Sequence, residues 1–192
     1  MTKRIVIADD EPITRMDIRE MLEEEGYDVV AEASDGFDVI ELARKHSPEL
    51  IIMDIKMPLL DGLNATKIIL KEQLANAVVL LSAYSNKSFI QKAKEVGAMG
   101  YLVKPLDNKS LIATIEVCLS KATEFKDMQN TVKTLENKLE SRKVIEKAKG
   151  ILMKQRNITE DESYKYIRNL SMKKRVTMDE ISKIIIMSEE EV

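Results

Sequence analysis

What most constrains this chain is a rhythm over residues 1 to about 120, where short apolar runs alternate with stretches of helical spacing. Ile5-Val6-Ile7-Ala8, Leu50-Ile51-Ile52-Met53 and Val78-Val79-Leu80-Leu81 are almost unbroken. A strand with one wet face alternates apolar and polar residues. A strand buried on both faces does not, and such strands belong to parallel sheets covered by helices. Tyr27 to Ala31 and Gly100 to Val103 read as two more strands. Between them, Ile13 to Glu25, Gly36 to His46, Asn64 to Glu72 and Asn86 to Val96 carry helical spacing. Five strand-then-helix units predict an α/β domain built on a doubly wound, five-stranded parallel sheet. Sheets of this kind bind ligands beyond the carboxyl ends of the strands, where strand order reverses.

Those strand ends carry the chemistry. The first strand runs into Asp9-Asp10, the third into Asp54, the fourth into Ser82 and the fifth into Lys104-Pro105. Any one of these acids could merely end a strand or cap the next helix. Carboxylates gathered at one place repel each other, and burial raises their pKa. A hard cation with oxygen ligands relieves that repulsion, and Mg²⁺ is the usual one where phosphate is involved. A lysine beside it is a point charge for a phosphoryl oxygen.

The remainder of the chain is different. Between Arg142 and Lys183 there are 12 Lys and Arg against 6 Asp and Glu, a local excess of six positive charges. With a whole-chain charge of −3, the other residues carry −9. An acidic front and a basic tail predict two units with different partners. Cys118 is the only cysteine, which excludes a disulfide framework and a thiolate metal site. No apolar run approaches the roughly 18 residues of a membrane span. The apolar start ends at Asp9-Asp10, too soon for a signal peptide, and a cytoplasmic protein is expected.

The two units are joined by helix. Leu111, Ile112, Ile115 and Leu119 mark the last helix of the first unit, and neither Pro nor Gly follows until Gly150. Phe125, Met128, Val132, Leu135 and Leu139 then step alternately by three and four, a heptad seam about two heptads long. Such a seam suits either a helical dimer arm or one amphipathic helix packing on its own chain. Beyond it, helical patterns run over Leu139 to Lys154, from Thr159-Glu160-Asp161-Glu162 and from Thr177-Met178-Asp179-Glu180; the first of these two openings reads as a capping box. These three helices predict a small all-α bundle with few apolar residues. Gly150 interrupts the first, and glycine inside a helix usually marks close packing or a nearby ligand. The basic excess on so small a bundle favours an anionic partner, and charge alone does not separate RNA from DNA.

Two resemblances sharpen this. Ile7-Ala8-Asp9-Asp10-Glu11-Pro12, Met53-Asp54-Ile55-Lys56-Met57-Pro58, Asp61-Gly62 and Gly97 to Pro105 resemble the receiver domain of two-component response regulators, a flavodoxin-like fold. The resemblance implies that Asp54 is the phosphoacceptor, charged by a sensor histidine kinase. It implies that Asp10, Asp54 and the Lys56 backbone carbonyl ligate Mg²⁺, with Asp9 acting largely through water. Lys104 would assist phosphoryl transfer across a cis Lys104-Pro105 bond, and Ser82 and Tyr101 would form the switch. Lys56 and Tyr84 occupy positions that tune phosphoryl lifetime in that family.

Residues 139–187, above all Leu139 to Met153 and Glu162-Ser163-Tyr164, are similar to the ANTAR domain, an RNA-binding module of transcription antiterminators. Ser163 and Ser171 stand where that family usually has alanine. The implied partners are tandem RNA hairpins in a nascent leader transcript, whose binding blocks a terminator. Candidate RNA contacts are Arg142, Lys147, Lys149, Tyr164, Arg168 and Lys173, with Tyr164 equally readable as core. The expected organisation is a receiver over 1–120, a coiled-coil linker over 121–138 and an ANTAR-like domain over 139–192. It is expected to act as a homodimer when phosphorylated, and it resembles the ethanolamine-utilisation antiterminators of that family. A DNA-binding response regulator is the alternative, followed by a pure interaction module. An enzyme acting on an external substrate fits poorly: the tail lacks paired acids, a His cluster and a Gly-rich phosphate loop.

Overall fold

The computed structural model describes residues 2–85 and 87–190, the last by its backbone. Asn86, the expected first residue of the fourth helix, lies outside the described residues, as do Glu191 and Val192 of the expected tail domain. The chain forms two compact units, Met1–Asp127 and Met128–Val192.

In the first unit the elements follow as β1 (Arg4–Ala8), α1 (Pro12–Glu24), β2 (Asp28–Ala33), α2 (Gly36–His46), β3 (Leu50–Asp54), α3 (Gly62–Lys71), β4 (Ala77–Ser82), α4 (Lys87–Glu95) and β5 (Gly100–Val103). The strands are parallel in the order β2-β1-β3-β4-β5. The side chains of β3 and β4 are buried throughout, as their unbroken apolar runs require. Alternate residues face opposite layers. Val6, Ala8, Ile51 and Met53 pack with Val39, Ala65 and Ile69 of α2 and α3. Ile5, Ile7, Leu50 and Ile52 pack with Ile18 and Leu22 of α1 and with Leu111 and Ile115. Strand order reverses between β1 and β3, which puts Asp9 and Asp54 at the switch point.

Several element starts differ from the sequence reading by a residue or two, and two of them do so for visible local reasons. The Tyr27 amide donates to the Leu22 carbonyl and so closes α1, which delays β2 to Asp28. The Asp61 carboxylate accepts from the Asn64 amide as an N-cap, so α3 opens at Gly62 and not at Asn64.

Helix α5 runs unbroken from Asn108 to Arg156, 49 residues, so the arm and the first bundle helix are parts of one element. Within the second unit, α6 (Glu160–Lys174) and α7 (Met178–Glu190) pack against its last turns. The core there is small: Ala148, Leu152, Ile167 and Ile181 are buried, with Leu170 and Ile185 partly so. Thr159 and Glu162 form the full capping box at the start of α6. Thr177 and Glu180 repeat the reciprocal bonds at the start of α7. Of the two readings of Gly150, close packing or a nearby ligand, the first has no support among the described residues, because a Cβ there would meet nothing within 4 Å.

Candidate functional site

Asp9 and Asp54 face each other across the switch point with one ammonium group between them. Lys104 Nζ lies 2.7 Å from Asp9 Oδ2 and 2.7 Å from Asp54 Oδ1. The other Asp54 oxygen accepts from the Lys56 backbone amide, and Asp9 Oδ1 accepts from the Glu11 amide at 3.1 Å. Lys104 arrives there because β5 pairs with β4, its own amide donating to the Ser82 carbonyl; the Lys104-Pro105 peptide is cis. Gly62 lets the loop after β3 fold back, since a Cβ there would lie 2.1 Å from the Asp54 carbonyl oxygen.

Burial raises the Asp54 pKa above its ordinary value, and the nearby Asp9 charge pushes the same way. The Lys104 hydrogen bond and charge and the Lys56 amide pull it back only in part. For Lys104, burial alone would lower the pKa, but bonds and charges from Asp54 and Asp9 outweigh it and the net shift is upward. The lysine stays an ammonium group, and two carboxylates with one cation leave the pocket net negative.

That imbalance fits a second cation. Among the described residues no three His, Cys, Asp or Glu side chains gather to hold a metal by themselves. Mg²⁺ does not need them, because it takes one or two carboxylates and keeps waters. The buried Asp54, the exposed Asp10 that follows β1 and the Lys56 carbonyl two residues beyond Asp54 are the oxygen donors that would hold it.

The switch candidates are joined through one residue. Ser82 Oγ accepts from the Tyr84 amide at 3.1 Å, and the Tyr101 hydroxyl donates to the Tyr84 carbonyl. Ser82 is buried and its own hydroxyl proton is uncommitted in that bond. Tyr84 also receives Lys56, whose Nζ is 3.2 Å from the phenol oxygen and 4.5 Å from the ring centroid. The ring stacks on Phe89 at 5.5 Å.

In the second unit the candidate contacts do not share one surface. Arg142 and Tyr164 line a groove of about 530 Å³ between α5 and α6, with Asn137, Lys138 and Ser141. Tyr164 is 44 % exposed, so it is not core. Lys147 lines a different groove of about 400 Å³, between α5 and α7, with Lys143, Lys183 and the apolar Val144, Ile186 and Met187. Arg168 and Lys173 are exposed on α6. Lys149 is only 6 % exposed. Its Nζ is held by Glu146 at 2.9 Å and Glu160 at 2.6 Å, tying the start of α6 to α5. Ser163 is buried as well, its hydroxyl donating to the Thr159 and Glu160 carbonyls, so this departure from alanine does not reach the surface.

Sequence reasoning missed Arg15 and Glu32. Arg15 Nη1 donates to the Asp9 carbonyl at 2.7 Å and its Nε to Glu32 at 3.1 Å. Arg15 lies on α1 and Glu32 on β2, and the packing that brings them together has no local sequence signal.

Residues 5–116 match the family model of the response regulator receiver domain, and residues 133–186 match that of the ANTAR domain. The transcriptional regulatory protein PdtaR of Mycobacterium tuberculosis is 41 % identical over 184 residues, covering 96 % of this chain and 89 % of that protein. The chemotaxis protein CheY of Bacillus subtilis is 36 % identical over 120 residues, 62 % of this chain and all of CheY. A solved LuxR-family two-component response regulator from Aurantimonas has a TM-score of 0.59 at 35 % identity, covering 63 % of this chain and 87 % of that one. Within the described residues no helix is long and apolar enough to cross a membrane. With both family models matched in order and a relative aligned along nearly its whole length, the chain belongs to the response regulators that carry a receiver domain followed by an ANTAR domain.

Proposed function

We propose that this protein is a phosphorylation-gated antiterminator, which accepts a phosphoryl group on Asp54 and in response binds hairpin RNA in nascent leader transcripts. The observation that carries the input half is the buried Asp9–Lys104–Asp54 constellation at the sheet's switch point. The Asp54 carboxylate attacks the phosphorus of a phosphohistidine on a sensor kinase, and the imidazole leaves. Mg²⁺, held by Asp10, Asp54 and the Lys56 carbonyl with Asp9 behind a water, would neutralise charge on the phosphoryl oxygens. Lys104 already bonds the Asp54 oxygen and swings its donors to a phosphoryl oxygen. The Ser82 hydroxyl donates to another, and because Ser82 is bonded to the Tyr84 amide its movement is felt at Tyr101. Asp54→Ala should abolish labelling by a small phosphodonor; labelling that survives would sink this assignment.

For the output half, support comes from the ANTAR match and from the groove that brings Arg142 and exposed Tyr164 together. Single-stranded loop bases stack on such an aromatic side chain while Arg and Lys hold the backbone. Arg142, Tyr164, Arg168 and Lys173 are the contacts favoured on this ground, with Lys147 serving phosphates from the neighbouring groove. Lys149 has its charge committed to Glu146 and Glu160, so it is assigned to holding the bundle together.

Dimerisation is supported by the seam on α5. Phe125, Met128, Val132, Leu135 and Leu139 are 53–66 % exposed, a regular apolar stripe without a partner among the described residues. A second copy would cover it and place two bundles for two hairpins, raising affinity by linkage. Sequencing RNA cross-linked to the phosphorylated protein in its own cells tests the whole reading. Leader transcripts should dominate, and those of ethanolamine-utilisation genes would establish that narrower regulon. Recovery of duplex DNA and no hairpin RNA would overturn it.

A further inference from the structure

We propose that Arg15 is a positioning residue for the Mg²⁺ and phosphoryl site, acting through the backbone carbonyl of Asp9. The proposal rests on the reading of the acidic pocket as a Mg²⁺ site.

Asp10 is exposed, and among the described residues its carboxylate has no hydrogen-bond or ion-pair partner. Where that carboxylate points is therefore decided by the backbone beneath it. Every polar group of the preceding residue is held. The Asp9 amide donates to the Ala33 carbonyl at 3.1 Å. Its two carboxylate oxygens accept from the Glu11 amide and from Lys104. Its carbonyl accepts from Arg15 Nη1 at 2.7 Å. That carbonyl and the Asp10 amide are two ends of one rigid peptide plane. Fixing the carbonyl fixes the plane from which Asp10 departs.

Arg15 is itself aimed. Glu32 on β2 takes Arg15 Nε at 3.1 Å with one oxygen and Arg19 Nε at 2.6 Å with the other. A guanidinium fork can hold a carboxylate with one edge and a carbonyl with the next, in one plane. A lysine ammonium has no such planar fork with which to hold both groups. Arg19 serves the same carboxylate, yet among the described residues its side chain bonds only Glu32 and Glu23. It is a built-in control for a purely structural ion pair.

The test is calorimetric Mg²⁺ titration of the full chain carrying Arg15→Lys, Arg15→Gln or Arg19→Gln, with thermal melting in parallel. Groups that orient metal ligands typically change affinity by about 10- to 100-fold when lost. Arg15→Lys and Arg15→Gln should each weaken Mg²⁺ by about tenfold. Removing a positive charge would by Coulomb's law alone strengthen it, so the sign separates positioning from charge. Arg19→Gln should leave Mg²⁺ affinity within about twofold, as expected of a surface pair. In phosphoramidate labelling, Arg15→Lys should raise the Mg²⁺ concentration needed while the saturated rate holds. Wild-type affinity in both Arg15 variants, or equal weakening in Arg19→Gln, overturns the proposal alone. Failure of the unaltered chain to bind Mg²⁺ overturns the site reading and this inference together.

Discussion

Two buried carboxylates share one ammonium group at the head of the sheet, so at the scale of single residues Asp54 carries its charge against the fold. Burial holds its pKa above the ordinary aspartate value. The folded state therefore binds this proton more tightly than the unfolded state. The stabilisation is full below the ordinary aspartate pKa and is lost as pH rises through the raised one. Asp54→Asn leaves Lys104 and Asp9 as a balanced pair. It should raise the melting temperature of the metal-free protein at neutral pH, by about 4 °C for each kcal/mol gained. That gain should shrink as the pH is lowered, and a variant that melts below the parent would contradict the charge balance drawn here. Gly62 makes the opposite kind of prediction. Its missing Cβ would lie 2.1 Å from the Asp54 carbonyl oxygen, a backbone atom that cannot turn aside. Gly62→Ala should cost about 3 kcal/mol in urea unfolding, at the upper end for overpacking.

The junction of α5 and α6 shows what separate elements require of one another. Two local devices start α6, the Thr159–Glu162 capping box and the Lys149 clamp. Thr159→Ala should lower stability of the second unit by about 1 kcal/mol, read by loss of helical circular dichroism on heating. The pH dependence of that junction is two-sided. Glu160 and Glu162 have lowered pKa values, the first from its Lys149 bond and the second from the Thr159 amide. Their contribution is present above the ordinary carboxylate pKa and lost as pH falls through the lowered one. Lys149 is raised by its bonds to Glu160 and Glu146, so its contribution is lost only as pH rises through a value above that of ordinary lysine. Helicity of the second unit should be steady from about pH 5 to about pH 10 and fall on both sides. The capping box was readable beforehand because it is a four-residue pattern. The clamp was not, because nothing near Lys149 in sequence says that its ammonium turns inward to meet Glu160.

Over the whole molecule, the exposed stripe from Phe125 to Leu139 is the surface that a second copy would cover. If a second copy does, Val132→Asp with Leu135→Asp should abolish the dimer in sedimentation experiments and leave Asp54 labelling unchanged. A dimer that persists would put the interface elsewhere. Since RNA affinity would come from two linked bundles, the same variant should bind a tandem hairpin no better than a single one.

Much of this protein was decided by residue order alone. Unbroken apolar runs can be satisfied only by a sheet covered on both faces, and acids and lysine at the ends of those runs can only gather at one rim. That Asp9, Asp10, Asp54, Ser82 and Lys104 follow or end strands was therefore legible in the residue order, as were the apolar stripe of α5 and the Thr159–Glu162 capping box. What tertiary structure decided was direction and partnership. It turned Lys149 inward and Tyr164 outward, put Arg142 and Lys147 in different grooves, and brought Arg15 under the Asp9 carbonyl. Local patterns report periodicity and turn chemistry, which depend on neighbours in sequence. A long polar side chain chooses its partner from whatever packing brings near, and only the folded chain supplies that.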